Sequence, residues 1–509
     1  MSVGPTKRVQ NLRSPHEMDH NAATEEDESS SLLRSSPTQW SSYGPSPDLP
    51  SLQDDPSLDI VISSDLESSR SQSSVVTIFA MWNTMMGTSL LSMPWAIKQA
   101  GYVNGIVLLV VMAGIMAYTS YRVLTAGRSL ANNVLSEFSD VVRVYLGRFF
   151  EVAAIICSLL ALIGGCIVYW ILMSNFLYHI GLFIKAHVDG SHGQHDNQSY
   201  FRTWPHFSDA SCDNETVVIH PHKTTFERIW NETITVPLFL IVVLFPIINF
   251  KSPTFFTKFN SLGTLSVIYL IVFVIVKASK WGINLDLNNH HISLPQYSSE
   301  FEWSFPALTG VSALAYFLQN AVIAIVRNQK YPENNTRDLV IAYACVCVTY
   351  TLMGALFYAV FPLAKSCIED NFLNNIASDD PMAFVARIGL FFQMSCVFPL
   401  LTFIIRAQLL QFICGSVWPS AMHVLILNAV LVLVSVIFAI FMPKIGHIIS
   451  FVGAFCGFTY AIALPCAVYI FACRRDGNLT FFKLIFHGFL IFLGFTNFVA
   501  QFVIIGHTK

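Results

Sequence analysis

Charge is scarce in this chain. Only 12% of its residues are Asp, Glu, Lys or Arg, against about 25% in soluble domains. The charge that exists nearly cancels, with 29 basic and 32 acidic residues and a net charge of −3. That leaves no basic field for a nucleic acid. No Gly-rich phosphate loop is present, so direct use of ATP is not expected. No Cys/His cluster has metal-ligand spacing; Cys345 and Cys347, two apart on a helix, point in different directions. No pair of carboxylates falls at membrane depth, so the chain is not expected to be an enzyme. No apolar h-region follows Met1, and no cleavable signal peptide is expected.

What fills the sequence instead is hydrophobic. Apolar residues make up 54%, Phe alone contributes 42 residues, and the mean hydropathy is +0.55. Eleven stretches are long enough to cross a ~30 Å hydrocarbon core. They lie near 75–97, 103–124, 151–180, 234–250, 261–282, 305–326, 339–362, 382–404, 420–441, 447–472 and 484–506. The expected fold is an all-α polytopic membrane protein. The fourth stretch is the shortest and carries Pro237 and Pro246.

Orientation follows from Lys and Arg. A cytosolic N-terminus places Arg122, Arg128, Arg143, Arg148, Lys330, Arg337, Arg406, Arg474, Arg475 and Lys483 on the inner side, a modest bias. Eleven spans then put the C-terminus outside. The 181–233 loop falls outside as well, and it carries the sequons at Asn197, Asn214 and Asn231, so glycosylation is expected there. Only Cys212 and Cys367 of the 11 cysteines lie in outer loops. In an oxidising compartment they are a disulfide candidate, the alternative being two free thiols. Eleven of the 15 histidines also lie on the outer side. They would charge in an acidic lumen, although a solvated loop of biased composition reads the same way.

Residues 1–73 are rich in Ser, Pro, Asp and Glu and poor in aromatics. Such a segment cannot bury enough surface to fold alone, and a disordered cytosolic tail is expected. It contains Glu28-Ser-Ser-Ser-Leu32-Leu33, an acidic dileucine pattern of the kind a clathrin adaptor reads for endosomal sorting. The run from Pro50 to Ile62 mixes apolar and acidic residues, which suits folding onto a partner as well as it suits a passive linker.

The first span reads WNTMMGTSLLSMP over Trp82–Pro94. Asn, two Thr, Gly, two Ser and Pro within one span predict a broken helix. Backbone freed from a helix at that depth must line a cavity or bind something. Half-helix ends offer N–H groups to a carboxylate and C=O groups to an ammonium or sodium. The sixth span places Gln319 and Asn320 side by side at lipid depth, where amides face a cavity or a partner helix. In a fold of two five-helix inverted repeats, spans one and six correspond and both are discontinuous. The eighth span adds Gln393, Ser395, Thr402 and Pro399, and holds one cation, Arg387, about a turn and a half from its outer end, from where its side chain can snorkel. Gly453-Ala-Phe-Cys-Gly457 in the tenth reads as close helix packing.

The stretches WNTMMGTSLLSMPWAIKQAG, FLQNAVIAIVRNQKYPENNTRDL and ARIGLFFQMSCVFPLL together resemble the amino acid/auxin permease superfamily, and within it a lysosomal branch. The likeness covers most of 74–506. It implies eleven transmembrane helices in a LeuT-like 5+5 inverted repeat, with helices 1 and 6 discontinuous and residues 74–509 forming the transporter domain. It implies a lysosomal and late-endosomal amino acid transporter and sensor. On that branch arginine is the ligand, essential amino acids such as leucine are exported, and the tail signals to mTORC1 through the Rag GTPases and Ragulator. Cholesterol responsiveness is implied too. Carried over by motif, Thr84, Met85, Met86 and Gly87 contact substrate and Thr88 and Ser89 flank it. Trp82 and Asn83 lie near a sodium ion, with Ser395 and Cys396 opposite. Two departures stand out. Cys396 lies in the stretch where the family usually has a Thr before the eighth-span Pro, and a thiol is a poor ligand for hard sodium. Gln319 stands where vertebrate members have His. The rival readings are a plasma-membrane sodium-coupled neutral amino acid carrier and an amino acid receptor without flux.

Overall fold

The computed structural model of the chain describes residues 72–129, 137–188, 226, 229–250, 260–287, 297–416 and 418–507. The tail up to residue 71, with Glu28, Leu32 and Leu33, lies outside the described residues, as do Asn197, Asn214 and Cys212. Among the described residues the backbone is helical, with two isolated bridges, Gln72–Gln329 and Asp286–Tyr297.

In chain order the helices are α1 Ser74–Met85, α2 Ser89–Ala100, α3 Tyr102–Ser129, α4 Phe138–Leu146, α5 Arg148–Val188, α6 Thr235–Ile248, α7 Asn260–Trp281, α8 Pro306–Ala315 and α9 Val322–Val326. They continue with α10 Asn335–Thr351, α11 Phe357–Val360, α12 Pro381–Cys414, α13 Ala421–Phe441, α14 Ile445–Cys456, α15 Leu464–Arg475 and α16 Phe481–His507. π-helical turns at Leu352–Leu356 and Gly457–Ala463 join α10 to α11 and α14 to α15.

Eight helices among the described residues are long and apolar enough to span a membrane, nine if the bent α1–α2 pair counts as one. The expected fourth and sixth spans fall on helices too short to cross alone, α6 and α8. Pro246 sits inside the last turn of α6, where its ring costs a backbone hydrogen bond. The sixth span breaks after Ala315 and resumes only at Val322. Eleven spans is therefore reached only by adding these two short helices to the nine.

Local sequence fixes the helix ends. Asp380 opens α12: its Oδ1 accepts from the N–H groups of Met382 at 2.9 Å and Ala383 at 3.0 Å, with Pro381 at the first helical position. Gly415, at φ 67°, closes it. Glu137 and Asp140 form a reciprocal capping box on α4.

Glycine sets how closely the helices cross. A Cβ at Gly453 would collide with the Gly310 carbonyl, and one at Gly310 with the Ser450 carbonyl. The Gly453–Gly457 pattern thus presses α14 onto α8, backbone to backbone, as small residues permit. Gly354, in the first π turn, leaves room for Ile97 and Met93 of α2. One half of each broken span, α2 and α8, is held by these contacts.

Cations pin the segment 361–380, which joins α11 to α12. Lys98 donates to the carbonyls of Ser366 at 2.7 Å and Ile368 at 3.1 Å. Lys365 donates to Tyr358 at 2.7 Å and Phe361 at 2.9 Å, and burial pulls its pKa down to about 7. Arg387 is fully buried and donates to Leu373 at 2.8 Å and Ile376 at 3.0 Å. Nine cysteines are free among the described residues, and Cys367 is not one of them.

Candidate functional site

The first span breaks where Met86 leaves the helix at φ −72°, ψ 96°. Two tight turns follow: Leu90 donates to the Gly87 carbonyl at 3.2 Å and Leu91 to Thr88 at 3.0 Å. The helix restarts as α2, bent 63° from α1. The amide N–H groups of Thr88 and Ser89 make no backbone hydrogen bond among the described residues. They open α2 at the positive end of its dipole, the arrangement that attracts an anion.

One phenol holds this break open. Tyr350 on α10 is fully buried. Its hydroxyl donates to the Met85 carbonyl at 2.5 Å and lies 3.3 Å from the Ala315 carbonyl, so a single proton serves the last carbonyls of α1 and α8. The Gly87 amide leans on the same oxygen. Both helix ends are therefore satisfied by a side chain, which lipid could not do.

The second break, residues 316–321, is tied mainly to α3. Tyr343 donates to the Tyr316 carbonyl at 3.0 Å. Its proton being committed, it accepts from the Ser120 hydroxyl at 2.7 Å. Gln319 is fully buried; its Oε1 accepts from the Leu318 amide at 3.0 Å and its Nε2 donates to Thr119 at 3.0 Å. Gln319 thus supports the break and does not line the cavity at Gly87. Asn320 is half-buried beside it.

That cavity is small, about 10 Å³, and is lined by Gly87, Thr88, Leu90, Leu91, Tyr169, Val267, Leu270, Leu390, Gln393 and Met394. It has room for about one water. Even the smallest amino acid requires the walls to move. The Oε1 of Gln393 is buried without a hydrogen-bond partner, and Gly263 makes space for that side chain, since a Cβ there would lie 2.7 Å from Gln393 Nε2. Free N–H groups on one side and a free acceptor on the other suit a ligand that carries both a carboxylate and an ammonium.

The residues expected around sodium are placed less closely together. Trp82 donates through its indole N–H to Thr349 at 3.3 Å, and Asn83 Oδ1 accepts from Thr264 at 2.8 Å. Ser395 donates to its own helix at the Phe391 carbonyl, 2.8 Å away, and Cys396 is buried. No hydrogen bond joins Ser395 or Cys396 to Trp82 or Asn83 among the described residues; from α12 the cavity takes Gln393 and Met394. Thr84 donates to the Ala80 carbonyl at 2.7 Å, within α1, while Met85 and Met86 are buried. Sequence reasoning missed Tyr350 and Tyr169. Each is one of two Tyr in an apolar helix, Tyr350 with Tyr343 and Tyr169 with Tyr178, and no polar motif marks it.

Asn231 is the one expected glycosylation residue that is described. Its Oδ1 accepts from the Thr233 hydroxyl at 2.8 Å and from the amides of Thr233 at 3.0 Å and Ile234 at 3.1 Å.

Residues 70–506 match the family model of the transmembrane amino acid transporter protein. The chain is 44% identical to the sodium-coupled neutral amino acid transporter 9 homolog of Caenorhabditis elegans over 459 residues, covering 85% of this chain and 74% of that protein. It is 43% identical to neutral amino acid transporter 9 of Rattus norvegicus, covering 86% and 80%. The crystal structure of MhsT in complex with L-phenylalanine has a TM-score of 0.51 at 13% identity, covering 84% of this chain and 97% of that one. The last likeness shows the fold, a LeuT-like arrangement of helices.

The clamp makes a direct prediction. Tyr350→Phe leaves the Met85 and Ala315 carbonyls unpaired and costs about 1–3 kcal/mol. The purified variant is expected to melt several degrees lower. An unchanged Tm would show that the breaks do not depend on this hydroxyl.

Proposed function

The chain belongs to the transmembrane amino acid transporter protein family, and on that premise we propose that it is a secondary-active transporter of amino acids in the late-endosomal and lysosomal membrane. The observation that carries the reading is the α1–α2 break, where Thr88, whose amide makes no backbone hydrogen bond, and Gln393, whose Oε1 is an unpaired acceptor, line one cavity. The α-carboxylate of the substrate binds at the start of α2, and its ammonium takes the Gln393 oxygen. Thr84, Met85, Met86, Gly87, Thr88 and Ser89 form the substrate segment, and Gln319 and Asn320 support it from the second break.

Arginine is the proposed regulatory ligand and leucine an exported substrate. The N-terminus is cytosolic and the C-terminus luminal, in keeping with the Lys/Arg bias and the sequons at Asn197, Asn214 and Asn231. A Cys212–Cys367 disulfide closes the luminal side. The tail 1–73 recruits Rag GTPases and Ragulator, reporting amino acid sufficiency to mTORC1, and cholesterol in the surrounding bilayer tunes that signal. Sodium is a weak coupling ion in this proposal. Of Trp82, Asn83, Ser395 and Cys396, only Asn83 and Ser395 offer side-chain oxygen, and both oxygens are already hydrogen-bonded.

Reconstituted uptake tests the transport reading. Proteoliposomes given a panel of labelled amino acids, with sodium and proton gradients varied separately, are expected to accumulate substrate. Thr88→Trp, whose ring is far larger than the cavity, is expected to block the site and abolish that uptake. Normal uptake by Thr88→Trp refutes the site, and tight binding without any exchange would make the protein a receptor instead.

Sorting is tested separately. Replacing Leu32 and Leu33 by Ala is expected to move the protein to the cell surface. Unaltered lysosomal delivery of that variant contradicts the role given to Glu28, Leu32 and Leu33.

A further inference from the structure

At the end of the bundle where α3 and α15 finish and α16 begins, one cation has no countercharge. Arg122 lies half-buried near the end of α3. Its guanidinium carbon is 4.0 Å from the centroid of the Tyr469 ring, 4.7 Å from Tyr118 and 5.3 Å from Tyr121. Its Nε is buried without a hydrogen-bond partner. No acidic residue pairs with it among the described residues, whereas Arg143, Lys277 and Arg337 each have a carboxylate.

Its neighbours cannot neutralise it. The ring of His487 has one nitrogen 2.6 Å from the Lys483 carbonyl and the other 2.8 Å from the Tyr118 hydroxyl. A carbonyl only accepts, so Nδ1 carries a proton, and Nε2 shares a hydrogen bond with the Tyr118 hydroxyl. Neither the neutral ring nor the imidazolium brings a negative charge to Arg122.

Three further cations gather at this end. Arg474 and Arg475 close α15 and are exposed. Lys483 opens α16 and donates to the Asn478 carbonyl at 2.9 Å. Against these four cations the connecting turn sets one carboxylate, Asp476, for a net of three positive charges. Next to them α16 turns Phe481, Phe482, Phe486 and Phe489 outward, each roughly half exposed or more. Charge bias alone accounts for Arg474 and Arg475 at a helix end. It does not account for a guanidinium held under three rings with an unpaired N–H. A cation half withdrawn from water, with its Nε buried and unpaired, favours an anion beside it, and at this depth the abundant anion is a lipid phosphate.

We propose that this corner is a binding site for the phosphate of an anionic glycerophospholipid. Arg122, Arg474, Arg475 and Lys483 surround the headgroup, and the exposed phenylalanines of α16 take the acyl chains. The lipid then fastens α16, the most lipid-exposed of the long helices, to α3 and α15. This assignment stands independently of what the protein transports.

Thermal melting of the full-length protein in neutral-detergent micelles tests it. Phosphatidylserine is expected to raise the Tm above the value in phosphatidylcholine. Each cation removed should weaken the apparent lipid affinity about fivefold, the equivalent of roughly 1 kcal/mol per basic residue. Arg122→Gln should therefore lose most of the shift, and so should the exposed double variant Arg474→Gln/Arg475→Gln, which is informative even if Arg122→Gln folds poorly. Lys330→Gln, an exposed cation elsewhere, should keep it. Equal melting in the two lipids, or a phosphatidylserine shift that survives the double substitution, would overturn the proposal. Protection by inorganic phosphate equal to that by phosphatidylserine would assign the site to a soluble anion instead and overturn the lipid assignment.

Discussion

The Tyr350 hydroxyl closes two helix ends with one proton, and the rest of the site depends on it. A helix cannot stop inside a membrane unless its last carbonyls find donors. α1 and α8 both stop there, at Met85 and Ala315, and both turn to Tyr350. With those carbonyls satisfied, the chain is free to turn at Gly87 and begin α2 with its amides unpaired. The glycine contacts between α8 and α14, and between Gly354 and α2, then keep the half-helices from sliding out of reach of the phenol.

Much of this could be read in the sequence, and the parts that could are chemically marked. A Gly-Thr-Ser interruption among Met, Leu and Trp is too polar for lipid to tolerate, so a break at Gly87-Thr88-Ser89 is legible in the sequence; the helix in fact stops at Met85 and restarts at Ser89, each one residue earlier. Adjacent Gln319 and Asn320 marked the second break in the same way. Tyr350 and Tyr169 were not legible, because a Tyr in an apolar helix fits many environments and only the fold decides which. Gly263 was silent for the same reason: its value lies in a neighbour, Gln393, 130 residues away in the chain. The eleven-span count is reached only with the short helices α6 and α8. Hydropathy measures apolar length, whereas α6 and α8 are cut short by backbone events, Pro246 in one and the turn at Tyr316 in the other. The motif points to Ser395 and Cys396 for sodium, while from the same span the cavity takes Gln393, a polar residue the sequence also marks, and Met394.

The geometry also constrains motion. At about 10 Å³ the cavity admits no amino acid as it stands. Lys98, Lys365 and Arg387 hold the 361–380 segment in place by six carbonyl hydrogen bonds. At the other end of α1, the Gln72 amide donates to Asn328 at 3.0 Å and the Lys330 amide to Gln72 at 2.9 Å. Asp338 on α10 takes a hydrogen bond from Gln329 at 2.6 Å and a salt bridge from Arg337.

The central claim is that amino acids bind at the break between α1 and α2. Cysteine protection tests it most directly. In a background where the exposed Cys345 and Cys414 are serine, Thr88→Cys is labelled with a small thiol reagent while an amino acid that the protein carries is titrated in. The account predicts that labelling slows as the site fills, with half-protection at the concentration that half-saturates uptake. A labelling rate that stays constant at saturating amino acid would contradict it.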